Sequence, residues 1–352
     1  MRSLKKLKPV SPINIGKNKS VVDLIKDLSR TGFQGRTLAK ACYLFKEMIE
    51  DNDVTILLGY AGSLSTTGQW KIIQWLIEND IIDILVPTGA NISEDIVEAL
   101  GFNYYQGSTE ENNEHLFKQG YNRYYDIYGK EEDYYVMTEL ITDFILTLDQ
   151  NYNYSSREFL LKFGLWLDTK NINSIVTSAA RKNVPIFCPA LIDSPYGDAA
   201  LLAKTRGFNL CIDSVKDFTE FMSLSNKVKS TGVVYIGGGV PKDFIQLFAV
   251  SSSLLYPGFA VPNKMGGNER KITDEVSYPH KYAIQITTDS PQWGGLSGCT
   301  FEEAITWGKE MANDKHVQCY CDATIALPLI VQGLADLLGN NKREGKKHNS
   351  AF

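Results

Sequence analysis

The 352-residue chain has no apolar run of membrane length, and its basic N-terminus, with Arg2, Lys5, Lys6 and Lys8, lacks the apolar core of a signal peptide. Neither a helical membrane span nor a secretory leader is therefore expected. Histidine is scarce, and the six cysteines (Cys42, Cys188, Cys211, Cys299, Cys319 and Cys321) contain no C-x-x-C pair. Reduced thiols in a cytoplasmic protein are the expectation. Cys319 and Cys321 would share one strand face, but His115, His280, His316 and His348 form no ligand cluster with them, so no metal site is expected. Nor is there an excess of positive charge. A net charge of -5 leaves no basic footprint for nucleic acid and favours small cationic ligands.

What the chain does have is a substantial core composition, with 43% hydrophobic and 22% charged residues. Short apolar, β-prone runs recur at Val54–Tyr60, Ile81–Val86, Val184–Phe187, Phe208–Ile212, Val233–Ile236, Tyr282–Ile286 and Val317–Tyr320. Amphipathic helical patterns lie between them, among them Gln69–Glu78, Ser214–Leu224 and Phe301–Met311. That alternation predicts an α/β fold, a doubly wound, mostly parallel, Rossmann-like sheet with helices on both faces. Ligands of such sheets gather at the carboxyl ends of the strands.

Two stretches interrupt the alternation. Phe102–Tyr135 is rich in tyrosine, asparagine and glutamate, and Ser251–Lys281 carries Pro257, Pro262, Gly266, Gly267 and Pro279, so both read as long surface excursions. The expected organisation is a basic arm over residues 1–20, one large domain over 21–340 with an inserted loop at 251–281, and a solvated polar tail at 341–352 after the helix stop at Gly339.

Three strand-to-helix turns are built from small and hydroxyl residues: Gly59-Tyr-Ala-Gly-Ser-Leu-Ser-Thr-Thr-Gly68, Pro87-Thr-Gly-Ala-Asn91, and Gly237-Gly-Gly-Val-Pro-Lys242. Glycines let a phosphate approach the backbone, and Pro241 suits a first helical turn whose dipole favours the anion. None is a G-x-G-x-x-G, but three together suggest a dinucleotide across the sheet edge, with Asp322 a candidate ribose ligand. Pro189–Asp198 follows another apolar run and brings Asp193 and Asp198, either of which can cap the next helix or face an amine.

The segment Thr300-Phe-Glu-Glu-Ala-Ile-Thr-Trp-Gly-Lys309 sets a lysine beside an indole. An apolar wall penalises an ammonium and would favour the nucleophilic amine. Helical spacing alone argues otherwise. Thr300 and Glu303 match a capping box, and Lys309 is rotated away from Glu303 and Trp307 on a regular helix, as an ordinary surface lysine would be, unless Gly308 intervenes.

Taken in order, Thr31–Arg36, the turn from Gly59, Pro87–Asn91, Pro189–Asp198, Gly237–Lys242, Ser297–Gly298, Trp307–Lys309 and Asp322–Ala323 resemble the deoxyhypusine synthase family, nearest its bacterial and archaeal synthase-like members, over residues 20–338. The resemblance implies NAD-dependent transfer of an aminobutyl group from spermidine, through an imine on Lys309, to a lysine of a translation factor. Glu94, Asp198, Asp243, Glu303 and Trp307 would bind the amine. Thr66, Thr88, Gly89, Ala90, Asp193, Gly238, Thr288, Asp289, Asp322 and Ala323 match positions that contact NAD. It also implies a homotetramer with shared active sites. The chain departs from the pattern at Asp243 (a histidine in authentic synthases), Leu296 (an aspartate), Ser93 (often a glutamate) and Leu247 (an asparagine). These changes leave the acceptor open between a protein lysine and a free diamine, the homospermidine synthase reaction. A catalytically silent paralogue and a simple dehydrogenase are the competing readings; for the latter no His or Tyr acid/base stands out.

Overall fold

The computed structural model describes residues 8–255, 279–296, 298–339, 343–346 and 348. Its centre is β1 (Val54–Tyr60), in which every residue is buried. A strand with both faces buried must lie between two layers, and parallel neighbours with crossover helices supply them. β1 pairs in parallel with β2 (Ile84–Pro87), with Leu57 opposite Ile84.

The excursion at Phe102–Tyr135 is folded rather than irregular. Its strands β3 (Tyr105–Gln106), β4 (Tyr121–Tyr124) and β5 (Ile127–Lys130) form a small antiparallel sheet, order β3-β5-β4, beside the helix Asn113–Lys118. The β4–β5 hairpin turns through Tyr125 at φ 55 and Asp126, without the Asn-Gly or Asp-Gly pair that would announce it. The expected strand Phe208–Ile212 contracts to β7 (Cys211–Ile212), which pairs only with β6 (Asn153–Tyr154), outside the main sheet. Val184–Phe187 contributes a single bridge, Ile186 to Leu85, at the edge beyond β2.

β8 (Ser230–Ile236), β9 (Tyr282–Thr287) and β10 (His316–Tyr320) complete a five-stranded parallel sheet of order β10-β9-β8-β1-β2. Alternate β1 residues enter different layers. Ile56, Leu58 and Tyr60 pack with Phe45 and Met48 of the helix Phe33–Glu50 and with Leu327 and Ile330 of Ala323–Leu338. Leu57 joins Val233 and Tyr235 against Phe221 of Ser214–Ser223 and Phe244 and Phe248 of Gly239–Ser251. The Phe221 and Phe244 rings stack at 4.8 Å, and truncating either to alanine would cost about 3–5 kcal/mol. The chain leaves β1 for β2 on one side and returns as β8 on the other, so the switch point of the sheet lies between β1 and β8.

Arg343, in the stretch that composition reads as a solvated tail, has a buried side chain. The Arg343 guanidinium is 5% exposed and forks onto the fully buried Asp83 at 2.8 and 2.6 Å, with further bonds to the Asp80 and Val54 carbonyls. Buried charge at the base of β2 demands a partner, and the tail supplies it. Most of the 251–281 loop, residues 256–278, lies outside the described residues, as does Ser297. Among the described residues no helix is long and apolar enough to cross a membrane.

Candidate active site

The turn after β8 places two cavities side by side. Gly237 and Gly239 take φ 74 and 61, a left-handed backbone that glycine adopts without strain. The helix Gly239–Ser251 starts within this turn and puts Lys242, Asp243 and Gln246 on neighbouring positions of one face.

The helix carrying Glu303 is shorter than its sequence pattern, running only from Phe301 to Thr306. Thr300 Oγ1 accepts from the Glu303 N–H at 3.1 Å, the one half of the expected capping box that forms among the described residues, while the Glu303 side chain lines a cavity. Gly308 at φ 77 terminates the helix: its N–H bonds Ile305 O at 3.0 Å, and the Lys309 N–H reaches back to Ala304 O at 3.1 Å. The backbone beyond is held by His280, whose N–H donates to Lys309 O at 2.9 Å and whose carbonyl accepts from Met311 N–H at 3.0 Å. Lys309 thus leaves the helix instead of following its solvent face. Its side chain is only 13% exposed, which corrects the surface-lysine expectation.

Lys309 Nζ lies 3.1 Å from Asp243 Oδ1, 3.3 Å from Gln246 Oε1 and 5.7 Å from the Trp307 ring centroid. These groups border a cavity of about 510 Å³, with Glu303, Leu247 and Leu296 also on its wall. On its wall and beneath it are four charged or polar groups to which sequence reasoning gave no role at the site. Lys242 donates to Gln285 Oε1 at 3.0 Å and to Cys299 O at 2.7 Å, and burial lowers its pKa. Gln246 donates from Nε2 to Glu310 Oε1 at 2.9 Å. Glu310 is 2% exposed, and burial pushes its carboxyl up to about 7. His280, fully buried and pushed down to about 4, is a neutral imidazole between Thr231 Oγ1 and Ile245 O. The four-residue step from Lys242 to Gln246 was the available signal; nothing in the sequence marked Glu310 as buried.

The second cavity, about 350 Å³, crosses the carboxyl ends of β1, β8, β9 and β10. Its wall includes Ser63, Gly237, Thr288, Asp322 and Ala323. Asp322 spends Oδ1 on capping the helix Ala323–Leu338, accepting from Thr324 N–H and Oγ1 at 2.7 Å each. Gly238 lies at the helix start between the cavities. Asp289 anchors its own turn, donating its N–H to Thr287 Oγ1 at 3.0 Å. Thr66 is buried and bonds Ser63 O at 3.0 Å, while Thr88 Oγ1 donates to Gly62 O at 2.9 Å. The buried Asn91 ties these turns together, accepting from Leu64 N–H at 2.7 Å and donating to Gly62 O at 2.8 Å. Gly89 packs so tightly that a Cβ there would sit 2.3 Å from Ser194 Oγ, and Ala90 begins a single 3-10 turn.

Like Thr66, Thr88, Gly89, Ala90, Gly238 and Asp289, three further expected residues line neither cavity. Glu94 is buried, held by Ser63 and by Tyr134 at 3.2 Å, with burial raising its pKa. Asp193 and Asp198 are exposed near the start of the helix Pro195–Thr205, whose cap position is Ser194 rather than either aspartate. Of the departures, Asp243, Leu247 and Leu296 face the lysine cavity, and the buried Ser93 bonds the Gly89 carbonyl at 3.0 Å.

Fold and site define a doubly wound α/β protein with a lysine-bearing pocket beside a cleft at its sheet switch point. The deoxyhypusine synthase family model matches residues 23–334. A Methanosarcina mazei protein named "Probable deoxyhypusine synthase 2" is 44% identical over 95% of this chain and 92% of its own length. A deoxyhypusine synthase-like protein of Elusimicrobium minutum is 34% identical over 91% and 82%. The solved structure of a candidate deoxyhypusine synthase from Entamoeba histolytica superposes with TM-score 0.62 over 95% of this chain and 99% of that one, at 18% identity, and so shares the fold. The chain belongs to the deoxyhypusine synthase family, whose members are transferases.

Proposed function

We propose that this protein is an NAD-dependent aminobutyl transferase in which Lys309 carries the group as an imine between a polyamine donor, spermidine first, and an acceptor amine. The observation that carries the reading is Lys309 set against Trp307, Asp243 and Glu303 on one cavity wall, one glycine turn away from the cleft at the switch point. Two carboxylates suit a cationic chain, and the indole suits its methylenes. Asp243 offers Lys309 a proton acceptor at 3.1 Å, which an amine needs before it can attack carbon.

The second cleft fits a dinucleotide by its left-handed Gly237, the small residues of the Ala61–Leu64 turn and the hydroxyl of Thr288. NAD bound there would supply a hydride acceptor and return the hydride within one cycle. Thr288, Asp322 and Ala323 are the wall residues that would hold it, with Thr66, Thr88, Gly89 and Ala90 shaping the neighbouring turns. The exposed Asp193 and Asp198 would act across a subunit boundary in a homo-oligomer of the family's tetrameric kind, while Glu94 stays buried behind Ser63 of the cleft. The exposed Val240, Leu296 and Trp307 around the lysine cavity favour such burial.

The test is incubation with NAD and spermidine, borohydride reduction, and mass spectrometry. An aminobutyl increment on Lys309 with release of 1,3-diaminopropane is expected; its absence with every common polyamine refutes the transferase reading. Asp243 at the rim, 64% exposed, is open to a free diamine and to a protein lysine alike, so putrescine is to be compared directly with the translation factor.

A further inference from the structure

Glu310 follows the nucleophile in sequence but points away from the cavity, into the protein. One carboxylate oxygen accepts from Gln246 Nε2 at 2.9 Å, and the other has no hydrogen-bond partner among the described residues. Gln246 faces Lys309 with its other atom, Oε1 lying 3.3 Å from Nζ. An ammonium only donates and a carboxylate only accepts, so an amide between them has one compatible orientation, nitrogen to Glu310 and oxygen to Lys309. The Cys299 thiol, 3.7 Å from the same Oε1, agrees with that orientation.

We propose that Glu310 is a positioning residue for Lys309: by accepting from Gln246 Nε2 it turns the Gln246 carbonyl onto Nζ and holds the amine in its resting pose. The inference rests on reading Lys309 as the nucleophile. Without Glu310 the amide is free to flip and to present its NH2 group, a donor, to the ammonium. A carboxyl buried to this degree is costly to keep, and burial already drives it up to about 7. The groups facing it are Lys242 and Gln246 from the helix Gly239–Ser251, Tyr235 from β8, and Lys309 beside it, with His280 neutral across the backbone bridge. Asp243 holds Nζ from the opposite, exposed side, so Glu310 and Asp243 restrain one amine by different routes.

The experiment needs neither NAD nor polyamine. The full chain is treated with propionaldehyde and cyanoborohydride across a pH series, and alkylation of Lys309 is followed by peptide mass spectrometry against solvent-facing lysines as internal standards. Replacing Glu310 by Gln removes the charge and puts in an amide that can donate as well as accept, so the Gln246 orientation is no longer enforced, and both changes disfavour the ammonium. The Lys309 profile is therefore expected to move to lower pH by about one unit, with the standards unchanged. Gln246→Leu should shift it the same way. In that background Glu310→Gln should shift it by less than about half as much, because residues acting through one another are not additive. If Glu310→Gln fails to fold, Glu310→Met, an apolar chain of similar length, carries the same test. An unmoved or upward-moving profile in the single variant overturns the proposal, as does full additivity in the double variant. A native Lys309 that takes no aldehyde at any pH overturns instead the nucleophile reading on which the proposal rests.

Discussion

Gly308→Ala isolates the feature that frees Lys309 from its helix. A Cβ built on Gly308 meets no heavy atom within 4 Å, so alanine brings no clash, only the penalty of a β-carbon at φ 77. That penalty is about 1–2 kcal/mol. The chain can bear it, or relax by continuing the helix through residue 308. Relaxation would break the Lys309–Ala304 closure and the two bonds to His280, each worth about 1 kcal/mol, and would carry Nζ away from Asp243 and Gln246. Urea unfolding should show a loss of about 1–2 kcal/mol if the strain is borne and about 3 kcal/mol if the helix continues. Aldehyde labelling of Lys309 should fall about tenfold, since about 1.4 kcal/mol of lost preorganisation is tenfold in rate. Gly308→Asn should recover most of both, because asparagine tolerates the left-handed region. An alanine variant as stable and as reactive as the native protein would refute the view that this residue sets the lysine's exit.

Lys309→Arg should abolish the borohydride-trapped adduct while leaving the unfolding midpoint within about 0.5 kcal/mol of native, since the side chain stays at a cavity wall. Asp243→His restores the residue usual in authentic synthases, and competition between spermidine and putrescine should show donor or acceptor preference changing by at least about tenfold, against native levels of adduct if the position is inert. Arg343→Ala leaves buried Asp83 without its cation and should cost about 3–5 kcal/mol by denaturation; a loss under about 1 kcal/mol would mean the tail is solvated after all. Glu310 has a folded pKa raised from 4.5 to about 7, so between those values the folded chain binds a proton that the unfolded chain releases. Its contribution is complete below pH 4.5 and declines by on the order of 3 kcal/mol as pH rises through 7; Glu310→Gln should remove that slope, seen by unfolding at a series of pH values.

The parallel sheet was legible because strands buried on both faces leave unbroken apolar runs, as Val54–Tyr60 does. Short runs misled for the same reason: Val184–Phe187 and Phe208–Ile212 are apolar enough for strands, yet tertiary contacts leave them one bridge and a two-residue pairing. The hairpin at Tyr125 carries no turn signature, and the docking of Arg343 depends on Asp83, 260 residues earlier in the chain. At the site, the family resemblance singled out Trp307 and Lys309, while helical periodicity sent Lys309 the wrong way because it cannot register a left-handed Gly308. Gln246, set among Phe244, Ile245, Leu247 and Phe248, had only its four-residue step from Lys242 to mark it, and Glu310 had no signal at all until the fold encloses it.

The glycine turn at 237–239 is a partition, with Gly239 on the wall of one cavity and Gly237 on the wall of the other. Asp243, Leu247 and Leu296, three of the four positions that depart from the synthase pattern, all line the lysine chamber, and none lines the cleft across the turn. A wall of backbone couples the compartments in space while leaving their side chains separately replaceable. On the proposed function, amine choice would be free to change on the lysine side without refitting the cleft across the turn.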